Sequence, residues 1–203
     1  MLQIINILKY PRLNGIFIPF KTYIKSFIFI RNSAKVYLSG RLTIGNPDSK
    51  AARISVAPVN IYFGFKTEVK LGESISIGPG VNIIAKDGAK LTIGSGTYFT
   101  SDMHLEAAKS INIGSDCAIS WGVTIIDTNH HKILSEESNT NYGEGVTIGN
   151  HVWVGCNVTI LKGTEIGDNS IIAAGSLVKG KYPKNTMIAG NPAKVIKQNI
   201  NWE

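Results

Sequence analysis

The sequence has no uninterrupted apolar run long enough to cross a bilayer, and it has only two cysteines. Its apolar clusters at 4–5, 16–18 and 27–30 are each interrupted nearby by Lys, Arg or Pro, whereas a spanning helix needs about 20 apolar residues. No secretory cleavage pattern follows a basic segment, so we expect no export and a cytoplasmic protein. Cys117 and Cys156 match no metal or redox spacing, which predicts reduced thiols.

Acidic residues are missing from the first 47 positions. Seven basic residues precede Asp48, the first acid, and the other 14 basic residues face 14 acids, so this segment carries the whole net charge of +7. We predict a basic, apolar N-terminal extension over 1–35 that forms short helices packed on a neutral main domain. An alternative is a segment that contacts anionic lipid at the inner face of the membrane. No nucleic-acid partner is expected.

A helical period is also missing from the main domain. Glycine and β-branched residues dominate it, and no 3.6-residue spacing persists. A four-residue phrase recurs instead, made of an aliphatic residue, any residue, isoleucine and glycine, and its copies begin at Leu42, Ile75, Leu91, Ile111 and Val146. Such repetition indicates a solenoid, whose repeats bury their apolar faces only against one another.

In the second half of the chain the repeat is six residues long. An aliphatic residue stands at every sixth position, namely Ile148, Val154, Ile160, Ile166, Ile172 and Val178. A small or branched residue follows each of the first five by four positions, namely Val152, Val158, Thr164, Ser170 and Ser176. Two inward residues in six, with Gly or Asn at the bends, predict a short strand and a corner. Three such sides make a coil of about 18 residues, and coils stack about 4.8 Å apart as parallel strands.

Three motifs show which family this solenoid resembles. IGNHVWVG at 148–155 is continued by IGDNS at 166–170 and closed by AGNPAKVI at 189–196. Together they resemble the hexapeptide-repeat acyltransferases over roughly residues 36–197. The resemblance implies an all-β fold, a left-handed parallel β-helix, which departs from the usual right-handed crossover. It also implies a homotrimer with active sites between subunits.

The resulting domain organisation has three parts after the motifs are placed. We predict the extension at 1–35, the β-helix at 36–182 with a loop inserted at 127–145, and a C-terminal cap at 183–203.

The 23 residues from Ile125 to Ile148 amount to one coil plus five residues. His130 follows Ile125 by five positions, as Trp153 follows Ile148, so the count places His130 directly beneath Trp153. A polar flap would project beside them.

Thr128-Asn129-His130, after the strand 123–125, is similar to the stretch that holds the catalytic histidine in galactoside and maltose O-acetyltransferases. The resemblance implies that His130 is the base that takes a proton from a sugar hydroxyl as the hydroxyl attacks acetyl-CoA. Asp127 would orient or stabilise the imidazole, or alternatively bind backbone as a corner residue. Asn129 or backbone amides would hold the developing oxyanion.

Four further residues are candidates for acceptor binding. Trp153 would form a wall for the acceptor or the pantetheine arm, or else fill a groove between subunits. His131 and Tyr142 lie in the insert, although neighbouring side chains of an extended segment point opposite ways, which favours a structural role for His131. The count places His104 on a different side of the prism from His130, where it is either an exposed polar residue or a partner of a neighbouring subunit's His130.

The same resemblance implies a CoA track. Cys156 and Ala174 would line it, and lysine side chains would approach its phosphates: Lys179, Lys181, Lys194 and Lys197. Gly180 stands where these relatives often have a basic residue, so Lys181 is expected to substitute. Solvated lysines near a chain end are the alternative interpretation.

The resemblance implies an acetyl-CoA-dependent O-acetyltransferase that modifies a carbohydrate hydroxyl, and we expect the acceptor to be a cell-surface polysaccharide such as capsule or lipopolysaccharide, or its precursor. The alternatives are an N-acetyltransferase of an amino sugar nucleotide, a small-sugar acetyltransferase, and a non-catalytic solenoid that binds a partner. The γ-type carbonic anhydrases share the solenoid and hold zinc with three histidines. The spacing of the four histidines here does not match theirs, so no metal is expected.

Overall fold

The chain folds as a three-sided solenoid of short parallel strands. The computed structural model describes residues 16–17, 26–45, 55, 57–131, 134–135, 138–139 and 143–203, and this part of the chain contains no helix. Its strands form one nine-stranded sheet (sheet A) and two seven-stranded sheets (sheets B and C). The predicted all-β class and the predicted parallel stacking of coils are confirmed.

The chain visits the three sheets in turn. Sheet A contains β1 (Ile16–Phe17), β4 (Leu42–Ile44), β7 (Ile75–Ile77), β10 (Tyr98–Phe99), β13 (Ala118–Ile119), β18 (Trp153–Val154), β21 (Ile171–Ile172), β24 (Thr186–Gly190) and β25 (Ala193–Gln198). Sheet B contains β2 (Ser26–Ile30), β5 (Val59–Phe63), β8 (Asn82–Ala85), β11 (His104–Ala107), β14 (Thr124–Ile126), β19 (Thr159–Ile160) and β22 (Leu177–Val178). Sheet C contains β3 (Lys35–Leu38), β6 (Glu68–Leu71), β9 (Lys90–Ile93), β12 (Ser110–Ile113), β17 (Val146–Ile148), β20 (Glu165–Ile166) and β23 (Lys181–Tyr182). An antiparallel pair, β15 (Leu134–Ser135) and β16 (Ser138–Asn139), stands apart from them.

Coil length changes along the solenoid. Equivalent residues of the late coils are 18 apart, as for Asn150 and Asp168. The spacing in the earlier coils is wider, for example 22 residues between Asn60 and Asn82. The predicted 18-residue coil therefore holds only late in the chain. The early strands are three to five residues long, so a side of an early coil can be longer than six residues.

The predicted inward pattern is confirmed. Each of the six aliphatic residues spaced six apart, from Ile148 to Val178, is at most 3% exposed, and the small residues four positions later are buried too. The inward hydroxyls are satisfied at the corners: Thr164 donates to the carbonyl of Leu161 at 2.6 Å, and Ser176 donates to that of Ala173 at 2.7 Å. A polar residue thus enters the core without an unmet hydrogen bond.

The helical prediction for residues 1–35 is wrong where the structure describes that segment. Ile16–Phe17 pairs with β4, and Ser26–Ile30 pairs with β5, both in parallel. The run Phe27–Ile30 alternates aromatic and β-branched residues, which suit a pleated sheet, and the exposed edge of β5 offers it hydrogen bonds. Residues 31–35 form the turn into β3 and its first residue, and the rest of the predicted extension lies outside the described part of the chain.

The other end of the solenoid is closed by a hairpin. β24 and β25 pair antiparallel and continue sheet A. The Tyr182 hydroxyl lies 3.1 Å from the carbonyl oxygen of Ala193, tying the hairpin to the last coil. Trp202 then folds back, its indole N–H donating to the carbonyl of His151 at 2.8 Å while its ring stacks on the His151 imidazole at 4.2 Å.

Candidate active site

The long insert leaves the solenoid between sheets B and C. Ser115 and Asn150 are equivalent positions on adjacent coils, yet they are 35 residues apart. The extra chain follows β14, includes the β15–β16 pair, and is closed at its base by a bridge between Thr128 and Gly143. His130 stands at the start of this excursion, at the edge where sheet B meets sheet C (the B–C edge).

The predicted stacking of His130 beneath Trp153 is wrong. Ile148 pairs with Ile113 on sheet C rather than with Ile125, and the residue directly below Trp153 is Ala118 on sheet A. The count failed because it treated the insert as five residues beyond one coil, whereas the excursion is about three times as long. In a three-sided prism, the B–C edge is opposite sheet A.

A glutamate that the sequence did not single out lies at the centre of the site. Glu106 is on β11 of sheet B, one coil below β14, and its side chain is only 9% exposed. Its Oε1 lies 2.6 Å from Nζ of Lys86 and 3.6 Å from Nε2 of His130, and its Oε2 lies 3.3 Å from Nε2 of His104. One buried carboxylate therefore faces a lysine and two histidines.

Glu106 stays ionised in this setting. Burial by itself raises the pKa of a carboxyl group, but here the hydrogen bond and charge of Lys86, with help from His104 and His130, bring the pKa of Glu106 below its ordinary value. The carboxylate is thus a fixed negative charge. The only sequence signal for it is an acidic residue inside a solenoid strand, next to a buried leucine.

His104 shares a side of the prism with His130, contrary to the count. His104 lies on β11 and pairs with Thr124 of β14, the strand after which His130 follows. Equivalent positions on these two coils are 20 residues apart, as for Thr97 and Cys117. The count allowed 18 residues for a coil, and the two extra residues made it place His104 on the wrong side. The two histidines therefore approach the same carboxylate within one chain.

Asp127 is a buried anchor for the neighbouring coil. Its side chain is fully buried, and its carboxylate accepts three backbone N–H bonds, from Ala108 at 2.7 Å, Lys109 at 2.8 Å and Ser110 at 2.6 Å. These amides form the corner between β11 and β12. Of the two roles that the sequence allowed, this geometry favours the corner residue, and Glu106 is the acid that faces the imidazole.

The backbone presents His130 outward. Its φ of 59° is left-handed, a conformation that His, Asn and Asp adopt more readily than most residues. The Thr128 hydroxyl accepts its backbone N–H at 3.0 Å. The side chain is 44% exposed, with Nδ1 3.3 Å from Nζ of Lys86. Asn129 and His131 on either side are exposed. Tyr142 lies outside the described residues.

The predicted CoA residues lie at three places on one chain. Cys156 and Ala174 share the edge between sheets A and B (the A–B edge), where the N–H of Gly175 donates to the carbonyl of Cys156 at 2.9 Å. Lys179 and Lys181 lie at or beside the B–C edge, and Lys194 and Lys197 lie on β25. Lys181 pairs with Glu165 at 2.8 Å.

Trp153 is 42% exposed on sheet A, and its ring centre lies 6.2 Å from that of Trp202. No motif or spacing in the sequence singles out Trp202. The two indoles, with the His151 ring stacked on Trp202, form one aromatic surface that runs from the corner between sheets C and A onto sheet A. An acceptor or a pantetheine arm would find a flat apolar wall there.

The described residues offer neither a metal-binding cluster nor a membrane-spanning helix. No group of three or more His, Cys, Asp or Glu side chains in this part of the chain is arranged to hold a metal ion. The same part of the chain also contains no helix with the length and apolar character needed to span a membrane.

The chain is similar to known transferases. The family described as bacterial transferase hexapeptide (six repeats) matches residues 145–180. A putative lipopolysaccharide biosynthesis O-acetyl transferase of Escherichia coli K12 is 35% identical over 147 residues, which cover 64% of this chain and 71% of that protein. The polysialic acid O-acetyltransferase of Neisseria meningitidis is 40% identical over 117 residues, and the chain spans about half of its length, 52%. A solved structure of a polysialic acid O-acetyltransferase is 31% identical with a TM-score of 0.56, covering 89% of this chain and 88% of that one.

Proposed function

The chain belongs to the hexapeptide-repeat acyltransferases, which are built on a left-handed parallel β-helix, and it is an O-acetyltransferase of that family. We propose that it acetylates a hydroxyl of a cell-surface polysaccharide or its precursor, with His130 as the base. One observation carries the proposal: an exposed imidazole faces a buried, ionised glutamate at the solenoid edge where the insert begins. The relatives named for lipopolysaccharide and polysialic acid support the choice of acceptor class.

His130 acts on the acceptor hydroxyl. Nε2 is the ring nitrogen that faces the Glu106 carboxylate, at 3.6 Å, and a negative charge there favours the tautomer with its proton on Nε2, which leaves Nδ1 as the basic nitrogen. Nδ1 already accepts from a cation, Lys86, on the exposed side. An acceptor hydroxyl that replaces Lys86 there donates its proton to Nδ1 as its oxygen attacks the acetyl carbonyl, and the CoA thiolate leaves. No covalent enzyme intermediate is required.

Glu106 and Lys86 are positioning residues. Glu106 fixes the tautomer of His130 and stabilises the imidazolium that forms when the base takes the proton. Lys86 neutralises Glu106 before the acceptor arrives. Asn129, exposed beside His130, would donate to the developing oxyanion, and His131 would contact the acceptor. Asp127 keeps the corner beneath them in place through its three amide bonds.

Acetyl-CoA is the proposed acyl donor, consistent with relatives named as acetyltransferases. Cys156, Ala174 and Trp153 would take the pantetheine arm along the A–B edge, with lysines on β23 and β25 near the phosphates. A cytoplasmic location, at the inner face of the membrane, belongs to the same proposal.

A homotrimer with its sites between subunits would join these parts. His130 lies at the B–C edge, whereas Cys156 and Ala174 lie at the A–B edge, so a single chain does not bring base and pantetheine residues together. In a ring of identical subunits, the A–B edge of one can face the B–C edge of the next. This division of the site over two edges supports the trimer.

Mixed oligomers test this arrangement together with the reaction. Subunits carrying His130→Asn are mixed, after dissociation, with subunits carrying Ala174→Trp, which blocks the A–B edge. Each variant alone should be nearly inactive in acetyl transfer from acetyl-CoA to polysaccharide, and the mixture should recover part of the wild-type activity. A mixture as inactive as its parents would refute sites shared between subunits. Full transfer by His130→Asn alone would refute the reaction.

A further inference from the structure

The outer face of sheet C remains in solvent in the proposed trimer. There the A–B edge of one subunit faces the B–C edge of the next, so sheet B lies between the two contacts. Sheet A of one subunit and sheet C of its neighbour then form the two walls of a cleft that opens outward. Because His130 lies at the B–C edge, sheet C is the wall that adjoins the base within the same chain.

The imidazole of His130 points back toward the N-terminal coils. Its Nδ1 lies 3.3 Å from Nζ of Lys86, at the corner between β8 and β9, and its Nε2 faces Glu106 on β11. The expected donor residues Cys156 and Ala174 instead follow β18 and β21, on later coils. A ring of subunits is generated by rotation alone, so these heights are the same in every subunit. The donor then takes the C-terminal part of the cleft, and an acceptor reaches Nδ1 from the N-terminal part.

The N-terminal half of sheet C presents a basic face to that part of the cleft. Strand pairing places Lys35, Glu68 and Lys90 in one row, nearest the B–C edge. In the row behind, it places Tyr37 next to Lys70. The three lysines are exposed, and Tyr37 is 51% exposed. We call these five side chains the sheet C bank.

The sheet C bank carries an excess of positive charge. Its one carboxylate, Glu68, pairs with Lys70 at 2.9 Å, and this contact, with a smaller effect of Lys90 and Lys35, lowers the pKa of Glu68. Among the described residues, neither Lys35 nor Lys90 forms an ion pair of its own. Farther along the sheet, the outward residues of β12 and β17 are uncharged, and the lysine of β23 pairs with the glutamate of β20. The excess charge is thus confined to the N-terminal half of sheet C.

The bank is continuous with the base. Lys86, which contacts His130, comes four residues before Lys90, and a tight turn joins them, in which the N–H of Ala89 donates to the carbonyl of Lys86 at 2.9 Å. From Lys90 on β9 to Lys35 on β3 there are two strand steps, about 10 Å. A single sugar at His130 does not cover this length, whereas a chain of sugars does. Lysines attract carboxylates, and an exposed tyrosine ring offers a flat apolar face to a sugar.

We propose that the sheet C bank binds the carboxylates of an acidic glycan chain and delivers one hydroxyl of that chain to His130. The glycan runs along the solenoid axis, from Tyr37 and Lys35 toward Lys90 and the base. The inference rests on the proposed function and deepens it, because it makes the acceptor an acidic polymer and assigns it the N-terminal half of the cleft. A lipid bilayer is disfavoured, because the three banks of a ring face three directions around its axis and a flat surface can contact only one of them.

The test measures glycan binding by calorimetry in the presence of CoA, which has no acetyl group to transfer. The probes are sialic acid oligomers of increasing length and neutral maltooligosaccharides of the same lengths. Affinity should rise with length in the acidic series and fall with added salt, and the neutral series should bind weakly. Lys35→Gln and Lys90→Gln combined should weaken binding of the longest acidic oligomer by about tenfold.

Two further variants separate the effect of charge from damage to the fold. Glu68→Gln removes the one carboxylate of the bank, so it should strengthen binding of the same oligomer by about threefold, a gain that local unfolding does not produce. Lys184→Gln removes an exposed lysine from the corner after β23, at the other end of the solenoid. It is the matched control and should bind as the wild type does.

Four results would each overturn the role of the bank: unchanged binding in the double lysine variant, an equal loss in Lys184→Gln, weaker binding in Glu68→Gln, or neutral oligomers that bind as tightly as acidic ones. Sedimentation with anionic phosphatidylglycerol vesicles is measured on the same proteins. A double lysine variant that loses the vesicles and keeps the glycan assigns the bank to lipid and also refutes the proposal. Acetyl transfer by the wild type is assayed separately. Glycan binding through the bank without any transfer refutes the proposed reaction alone, whereas transfer with binding that does not depend on the bank refutes the bank alone.

Discussion

Nε2 of His130 lies 3.6 Å from Oε1 of Glu106, although the two residues come from different coils of the solenoid. The imidazole lies at the surface, whereas the carboxylate is buried and is kept ionised by its contact with Lys86. Its two members fill different requirements: the imidazole must be reachable, and the carboxylate must be fixed. Substitutions at the two positions should therefore separate activity from stability.

His130→Asn should remove activity while keeping the fold. Asparagine tolerates the left-handed φ of this position, and Asn157 and Asn169 already occupy such a conformation in this chain. We expect kcat for acetyl transfer to fall by ~10² to 10⁴, with the free energy of unfolding within about 0.5 kcal/mol of wild type. A large loss of stability, or near-normal kcat, would contradict the assignment of His130 as the base.

Glu106→Gln should change how stability depends on pH. A carboxyl whose folded-state pKa is lowered contributes stability that is present above the ordinary glutamate pKa of about 4.3 and is lost as pH falls through the folded-state value. The difference in unfolding free energy between wild type and Glu106→Gln should therefore be largest near neutral pH and shrink below about pH 4. Urea unfolding at several pH values measures it. In a Lys86→Met background the pH dependence should weaken, and an unchanged dependence would contradict the ion pair.

Asp127→Ala should damage the fold. Three buried backbone N–H groups lose a charged acceptor at once, for which we expect a loss of about 3 to 5 kcal/mol in the free energy of unfolding. Asn129→Ala, two positions away and exposed, is the matched control for stability and should cost less than about 0.5 kcal/mol. Similar unfolding curves for the two variants would remove the anchoring role.

The two cysteines should differ in reactivity. Cys117 is fully buried, and its Sγ lies 3.1 Å from the carbonyl oxygen of Gly149. Burial raises the pKa of its thiol. A thiol reagent should therefore leave Cys117 unmodified in the folded protein. Cys156 is only half-buried and should be alkylated. Under the proposed CoA track, saturating acetyl-CoA should slow that alkylation several-fold, as followed by mass spectrometry. Labelling that acetyl-CoA does not affect would place the donor elsewhere.

The fold was predictable because short, repeated stretches of sequence specify it. Each coil repeats the same inward pair of residues, so the spacing from Ile148 to Val178 specifies strand, corner and stacking without any long-range information. The candidate base was also accessible, since His130 stands where the rhythm stops. The N-terminal strand β2 was not, because a short apolar run such as Phe27–Ile30 suits either a helix or a strand until its neighbour β5 is known.

The partners of His130 were harder to predict than His130 itself. Glu106 reaches it only through the pairing of β11 with β14, and that register depends on the number of residues in each corner. Counting in sixes fails whenever a corner gains residues, as it does before Ile148 and between His104 and Thr124. The stacking expected for Trp153 depended on such a count, which is why Trp153 does not lie against the imidazole.

The antiparallel return of β25 determines how the solenoid ends. A stack of parallel coils exposes unpaired N–H and C=O groups on its last strands, and in principle another copy can add to them indefinitely. Here the outermost strand of sheet A runs in the opposite direction and carries Lys194 and Lys197. A second molecule that approaches end to end meets the wrong strand direction and like charges. The hairpin therefore keeps a protein made of fibre-like repeats from growing into a fibre at this end.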